Sequence, residues 1–160
     1  MKGCLVLAIL LPLLFFGGCQ IVRSTEKSDI VDDLPKQLKV SELNQYDVCS
    51  RVFGGYSYIA SIPEKVSKRI ILEKTSFLAG AKANSEFSVT TTNWIPSETL
   101  EWDYDGPPIG LLCLRTWTHD GKKLSQEIFK EGGFYGSFGG RGAVYVVPSL
   151  DIVVGGFDPR

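Results

Sequence analysis

The segment that most restricts the fold of this chain is Ala143-Val144-Tyr145-Val146-Val147, five apolar residues in a row. A strand with one face in water alternates apolar and polar residues, whereas an uninterrupted apolar strand needs cover on both faces. Val and Tyr also suit a pleated, packed surface better than a helix. Gly142–Val147 therefore predicts a central strand. Ile152–Phe157 predicts its antiparallel neighbour, reached through the tight connection Pro148-Ser149-Leu150-Asp151. Leu111–Leu114 has the same continuous apolar character.

Other stretches extend the sheet. Val48–Ile59 is rich in Val, Phe and Tyr and is interrupted by Gly54-Gly55, which predicts two short strands or one bent strand. Further strands are expected at Phe87–Trp94, Thr99–Tyr104 and Ile109–Thr118, with Asp120-Gly121 as a hairpin turn into Lys123–Phe129. One main helix is expected over about residues 63–82. Ser61 can cap it, Pro63 suits its first turn, and Glu64 suits its positive dipole end. Val66, Ile70, Ile71, Phe77, Leu78 and Ala81 recur with helical spacing and leave Lys68, Glu73 and Lys74 outward, with Gly80 or Asn84 as the stop. One helix with six or seven mainly antiparallel strands makes an α+β domain.

The amino end carries an address. Lys2 precedes an apolar run from Leu5 to Phe16, and small residues follow, the order of a secretory signal peptide over residues 1–18. The run is shorter than the ~20 residues a spanning helix needs, and Pro12 interrupts it. Phe16-Gly17-Gly18-Cys19 resembles the lipobox of bacterial lipoproteins, with Phe16 where Leu is usual. That resemblance implies cleavage before Cys19, acylation of Cys19 and a membrane anchor through the amino-terminal lipid. Gln20, rather than Asp, after the cysteine implies sorting to the outer membrane, on its periplasmic side. Residues 19–43 are polar, poor in aromatics and without a sustained period, so they read as a lipidated cysteine and flexible tether, with one α+β domain over 44–160.

Cleavage at that position leaves 142 of the 160 residues, enough for one domain, and takes the net charge from −1 to −2. A chain so nearly neutral has no basic footprint for nucleic acid. Apart from Cys19, the mature chain keeps Cys49 and Cys113. In an oxidising compartment they read either as a disulfide, contributing about 3–5 kcal/mol by restricting the unfolded chain, or as two buried free thiols.

Phe134-Tyr135-Gly136-Ser137-Phe138-Gly139-Gly140-Arg141-Gly142, followed by Ala143 to Val154, resembles the closing strands of serine β-lactamase-related hydrolases, the group of class C-like esterases and 6-aminohexanoate-type amidases. The likeness covers at best a third of the chain. It implies a β-lactamase-like sheet, but the catalytic parts do not accompany it. That chemistry needs Ser-x-x-Lys at the start of a buried helix, because a serine hydroxyl is a poor nucleophile without an adjacent base. Ser24-Thr25-Glu26-Lys27 has the spacing but falls in the expected tether, and Ser67 is followed by Ile70 at the lysine position. No Tyr-x-Asn occurs, and Phe134 stands where the final strand carries a basic group.

Other chemistry is equally thin. His119 is the only histidine, which leaves little for a triad or a zinc site and reads as a turn residue. Glu101, Asp103 and Asp105 precede Gly106-Pro107-Pro108 and read as solvated turn acids rather than a calcium site. The glycines from Gly132 to Gly142 lead into a strand, not a helix, and lack the Gly-Lys-Ser/Thr of a phosphate loop. No metal and no cofactor is expected. Aromatic residues remain: Tyr56, Tyr58, Trp94, Trp102, Tyr104, Trp117, Phe134 and Tyr135 fall on expected strands or their ends. They read either as filling a small core or, for Trp94, Trp102, Tyr104, Trp117, Phe134 and Tyr135, as a candidate binding surface for an envelope protein or glycan. The sequence thus reads as a lipid-anchored, non-catalytic binding domain of the cell envelope. The alternative reading is a β-lactamase-related serine hydrolase, as a fragment or completed by another chain.

Overall fold

A computed structural model of the chain describes residues 26–48, 55–79, 81, 94–100, 124, 127–130, 132–138 and 142–157. The expected α+β architecture is present: among the described residues, six strands form one antiparallel sheet. They are β1 (Leu43–Val48), β2 (Tyr56–Ser61), β3 (Ile95–Pro96), β4 (Phe134–Phe138), β5 (Gly142–Val147) and β6 (Ile152–Phe157), in the order β1-β2-β6-β5-β4-β3. β5 and β6 fall where the apolar pattern put them, and all six residues of β5 are buried. The connection between them is a 3-10 turn at Pro148–Leu150, and Asp151 takes a left-handed φ of 55° to reverse the chain.

Alternation along the central strands feeds two cores. Val144, Val146 and Val153 face one side, with Tyr58, Phe134 and the helical layer. Ala143, Tyr145, Val147 and Val154 face the other, where Ile128 packs with Leu100, Leu124 and Phe129 against them. This two-sided cover is the requirement that the continuous apolar run imposed. Phe129 and Tyr145 meet edge to face at 6.1 Å, and Tyr135 lies 5.2 Å from Tyr145.

The expected single helix is two pieces, α2 (Glu64–Glu73) and α3 (Thr75–Leu78). An amino-terminal helix, α1, is helical over residues 26–33. Pro63, not Ser61, occupies the N-cap position of α2, and no side chain caps it. The break at Lys74 has a local cause. In a straight helix the Glu73 carbonyl would accept from the Phe77 N–H; here it accepts from the Ser76 hydroxyl, and the Phe77 N–H turns to the Lys74 carbonyl at 3.1 Å. Lys74 is left at φ 51°, ψ −136°, a conformation that L-residues rarely adopt. Val66, Ile70, Phe77, Leu78 and Ala81 are buried as expected, but Ile71 is 52% exposed.

Two further expectations give way. Within the segment read as a tether, Ile30, Leu34 and Leu38 all lie in the helix-side core, and Leu38 is fully buried. From residue 26 onward the segment is therefore part of the domain, which starts well before residue 44. The signal was present as the four-residue spacing of Ile30, Leu34 and Leu38, one stripe of a helix prolonged into a 3-10 turn at Lys36–Leu38. Leu124, Glu127 and Ile128, expected on a strand, are helical. Leu124 and Ile128 are one helical turn apart and meet the same core cluster.

Candidate functional site

One cross-strand row on the helical side organises the aromatic side chains. The pairings align Tyr46, Tyr58, Gly155, Val144 and Gly136 across β1, β2, β6, β5 and β4. A methyl group on Gly155 would meet the Tyr58 ring at Cζ within 2.5 Å, and one on Gly136 would meet the Trp94 ring at 3.1–3.2 Å. The two glycines thus leave floor space over which Tyr58 and Trp94 lie flat on the sheet. Both rings are buried, at 4% and 8% exposure.

At the β1 end of this row the aromatics reach the surface. Tyr46, Tyr56 and Phe157 are each partly exposed. Tyr56 stacks against Tyr58 at 6.4 Å and Phe157 at 6.2 Å, and meets Tyr46 at 5.9 Å. The α1 helix supplies carboxylates to the same place. The Tyr46 hydroxyl donates to Glu26 Oε2 at 3.0 Å. Burial, then the negative charges of Asp33 and Glu26, push the Tyr56 hydroxyl above its ordinary pKa. Tyr58 rises further, through burial first and then Tyr56 and Asp33. These hydroxyls stay protonated and act as donors at neutral pH. Ring faces, phenol donors and two carboxylates at one surface suit a ligand that offers C–H faces together with hydroxyl or amine donors.

The surface expected from sequence is placed differently. Trp94 and Phe134 are buried in the helix-side core, Phe134 at 3% exposure, so neither belongs to an exposed patch. Trp94, just before β3, and Phe134, on β4, both face the helix-side cluster rather than water, which makes their rings core. Tyr135 is half-buried against the opposite cluster. Trp102, Tyr104 and Trp117 lie outside the described residues, as do Cys19, Cys49, Cys113 and His119. Tyr56 is among the strand aromatics singled out in the sequence, but its grouping with Tyr46 and Phe157 was not legible, because the three come from strands that meet only through the register of the sheet.

The hydroxyl-and-amine pairs also find their places. Ser67 lies on the buried face of α2, 2% exposed, beside Val66 and with Ile70 one turn on. Its Oγ has no hydrogen-bond partner among the described residues. Lys27 stands on helix α1 rather than on a flexible tether, and Ser24 and Thr25 lie outside the described residues. Lys27 is solvent-exposed, whereas a lysine base needs a desolvated pocket. Among the described residues, no cluster of His, Cys, Asp and Glu could hold a metal ion. No described helix is long and apolar enough to cross a membrane. No family model, curated protein or solved structure matches this chain.

Proposed function

We propose that the protein is a lipid-anchored component of the cell envelope, held by Cys19, whose folded domain binds an envelope glycan or protein rather than catalysing a reaction. The observation that carries this reading is the partly exposed cluster of Tyr46, Tyr56 and Phe157 beside Glu26 and Asp33, where a packed sheet meets helix α1. The rings cannot collapse further inward because Tyr58 already fills the floor over Gly155. They therefore present a rigid contact surface with little conformational entropy to lose on binding.

The test has two parts. Mass spectrometry of the chain from a bacterial host is expected to show cleavage before Cys19 and acyl groups on it; cleavage elsewhere, or an unmodified cysteine, refutes the anchor. A photo-crosslinking amino acid in place of Tyr46 is expected to yield one dominant adduct in intact envelopes, lost when Tyr56→Ala is added. An adduct that survives Tyr56→Ala refutes the contact surface. Labelling of a serine by a fluorophosphonate probe would refute the non-catalytic reading and restore the hydrolase alternative.

A further inference from the structure

The outer face of α2 carries an unusual combination. Leu72 is 81% exposed and Ile71 52% exposed. Val66, Ser67 and Ile70 point into the core, so the helical period puts Leu72 on roughly the opposite side, with Lys65 and Lys68 flanking it. Arg69 and Lys74 extend the exposed rim. Four basic and two acidic residues occupy Glu64–Lys74 of a chain whose overall charge is negative. The acidic residues are paired, Glu64 with Lys68 at 2.5 Å and Glu73 with Arg69 at 2.9 Å, and Asp151 lies near enough to act on Lys68. The Glu64–Lys68 pair is largely solvent-exposed and weak enough to exchange for a phosphate partner, whereas Arg69 is held by Glu73 through two nitrogens and lies 5.0 Å over the Phe77 ring.

A second observation limits what this face can meet. Helix α1 is already docked in the core at Ile30, with Leu34 just past its end, so Cys19 lies only seven residue steps from the first described residue, Glu26. Seven fully extended residues span at most about 25 Å. That is less than the diameter of a domain this size, whose radius of gyration is about 14 Å. If Cys19 is lipidated, the domain cannot leave the bilayer surface. The leash leaves from the helical layer, the same layer that contains α2, since α1 and α2 share one core cluster.

We infer that the outer face of α2 seats on anionic phospholipid, with Leu72 and Ile71 entering the headgroup boundary and Lys65, Lys68 and Lys74 reaching lipid phosphates. Long basic side chains beside an exposed aliphatic pair match that interface: the stems lie along apolar surface and the charged heads stay with phosphate. The inference rests on the anchor reading for its geometry, but its own readout is independent of the acyl group.

The purified full chain is mixed with phosphatidylcholine vesicles, with and without phosphatidylglycerol, and its lysines are acetylated with a water-soluble ester. Lys65 and Lys68 are expected to be protected severalfold in the anionic vesicles only. Lys130, next to the opposite core cluster, is expected to react equally in both. Leu72→Glu, at a position that buries almost nothing, is expected to remove the protection without shifting the unfolding midpoint. Replacing Lys65 by Gln is expected to weaken binding to the anionic vesicles about fivefold. Equal reactivity of Lys65, Lys68 and Lys130 in both vesicle types overturns the inference. Protection that appears without vesicles also overturns it and assigns the face to a second copy of the chain. Mass analysis of Cys19 in the same sample separates the two proposals. An acylated chain with unprotected lysines defeats only the lipid face. An unacylated chain with protected lysines defeats only the anchor.

Discussion

Replacing Gly155 by Ala tests the packing on which the tyrosine surface depends. The new methyl group would overlap the Tyr58 hydroxyl, lie 2.5 Å from its Cζ, and stand 2.8 Å from the Ala143 carbonyl oxygen. Tyr58 is only 4% exposed and the carbonyl belongs to a central strand, so neither can yield cheaply. Overpacking of this kind costs about 1–3 kcal/mol, and the lower entropy of unfolded Ala returns about 0.5 kcal/mol, so a net loss of about 2 kcal/mol is expected. Gly136→Ala is the control. The atoms nearest its methyl would be those of the Trp94 ring, at 3.1–3.2 Å, which a shift of a few tenths of an ångström relieves. Its expected cost is below about 1 kcal/mol. Guanidinium unfolding followed by fluorescence and circular dichroism measures both, as a fall in midpoint at constant slope. In a Tyr58→Ala background the Gly155→Ala cost should shrink but not vanish, because the Ala143 carbonyl remains. A Gly155→Ala cost within 0.5 kcal/mol of zero, or one unchanged by Tyr58→Ala, refutes the argument.

Three further outcomes follow from the same structure. Leu38→Ala, at a fully buried site, is expected to destabilise the chain by about 2–5 kcal/mol; a neutral result in denaturant titration would return this segment to a tether. Lys74→Gly is expected to stabilise by about 1 kcal/mol, because only glycine adopts φ 51°, ψ −136° without strain; a lower melting temperature would refute that geometry. Stability is expected to fall at alkaline pH. Burial raises the Tyr56, Tyr58 and Tyr145 pKa values above the unfolded value, so the folded state holds protons that the unfolded state releases. Their contribution is complete below pH ~10 and declines above it by about 1.4 kcal/mol per pH unit for each tyrosine. Tyr145→Phe should flatten the measured slope by one such increment, and an unchanged slope would contradict it.

The local pattern of residues determined the carboxyl-terminal half of the sheet. The bounds of β5 and β6 were legible because a continuous apolar run, a turn containing proline and a second such run admit few alternatives over short distances. The buried face of α2 was equally legible, since Val66 and Ile70 are one helical turn apart. The break at Lys74 was not, because it depends on which donor, the Ser76 hydroxyl or the Phe77 amide, takes one carbonyl. Only the tertiary structure decided which aromatics are surface and which are core. Composition marks Trp94, Phe134, Tyr46 and Tyr56 alike as large and apolar, but exposure depends on what lies opposite each residue across the sheet. Gly136 and Gly155 opened floor space that drew Trp94 and Tyr58 inward, while the register of β1, β2 and β6 gathered Tyr46, Tyr56 and Phe157 at the rim. The amino-terminal segment shows the same division. Its three apolar residues were visible in the sequence, but a stripe that short holds a helix only when a core already exists to receive it.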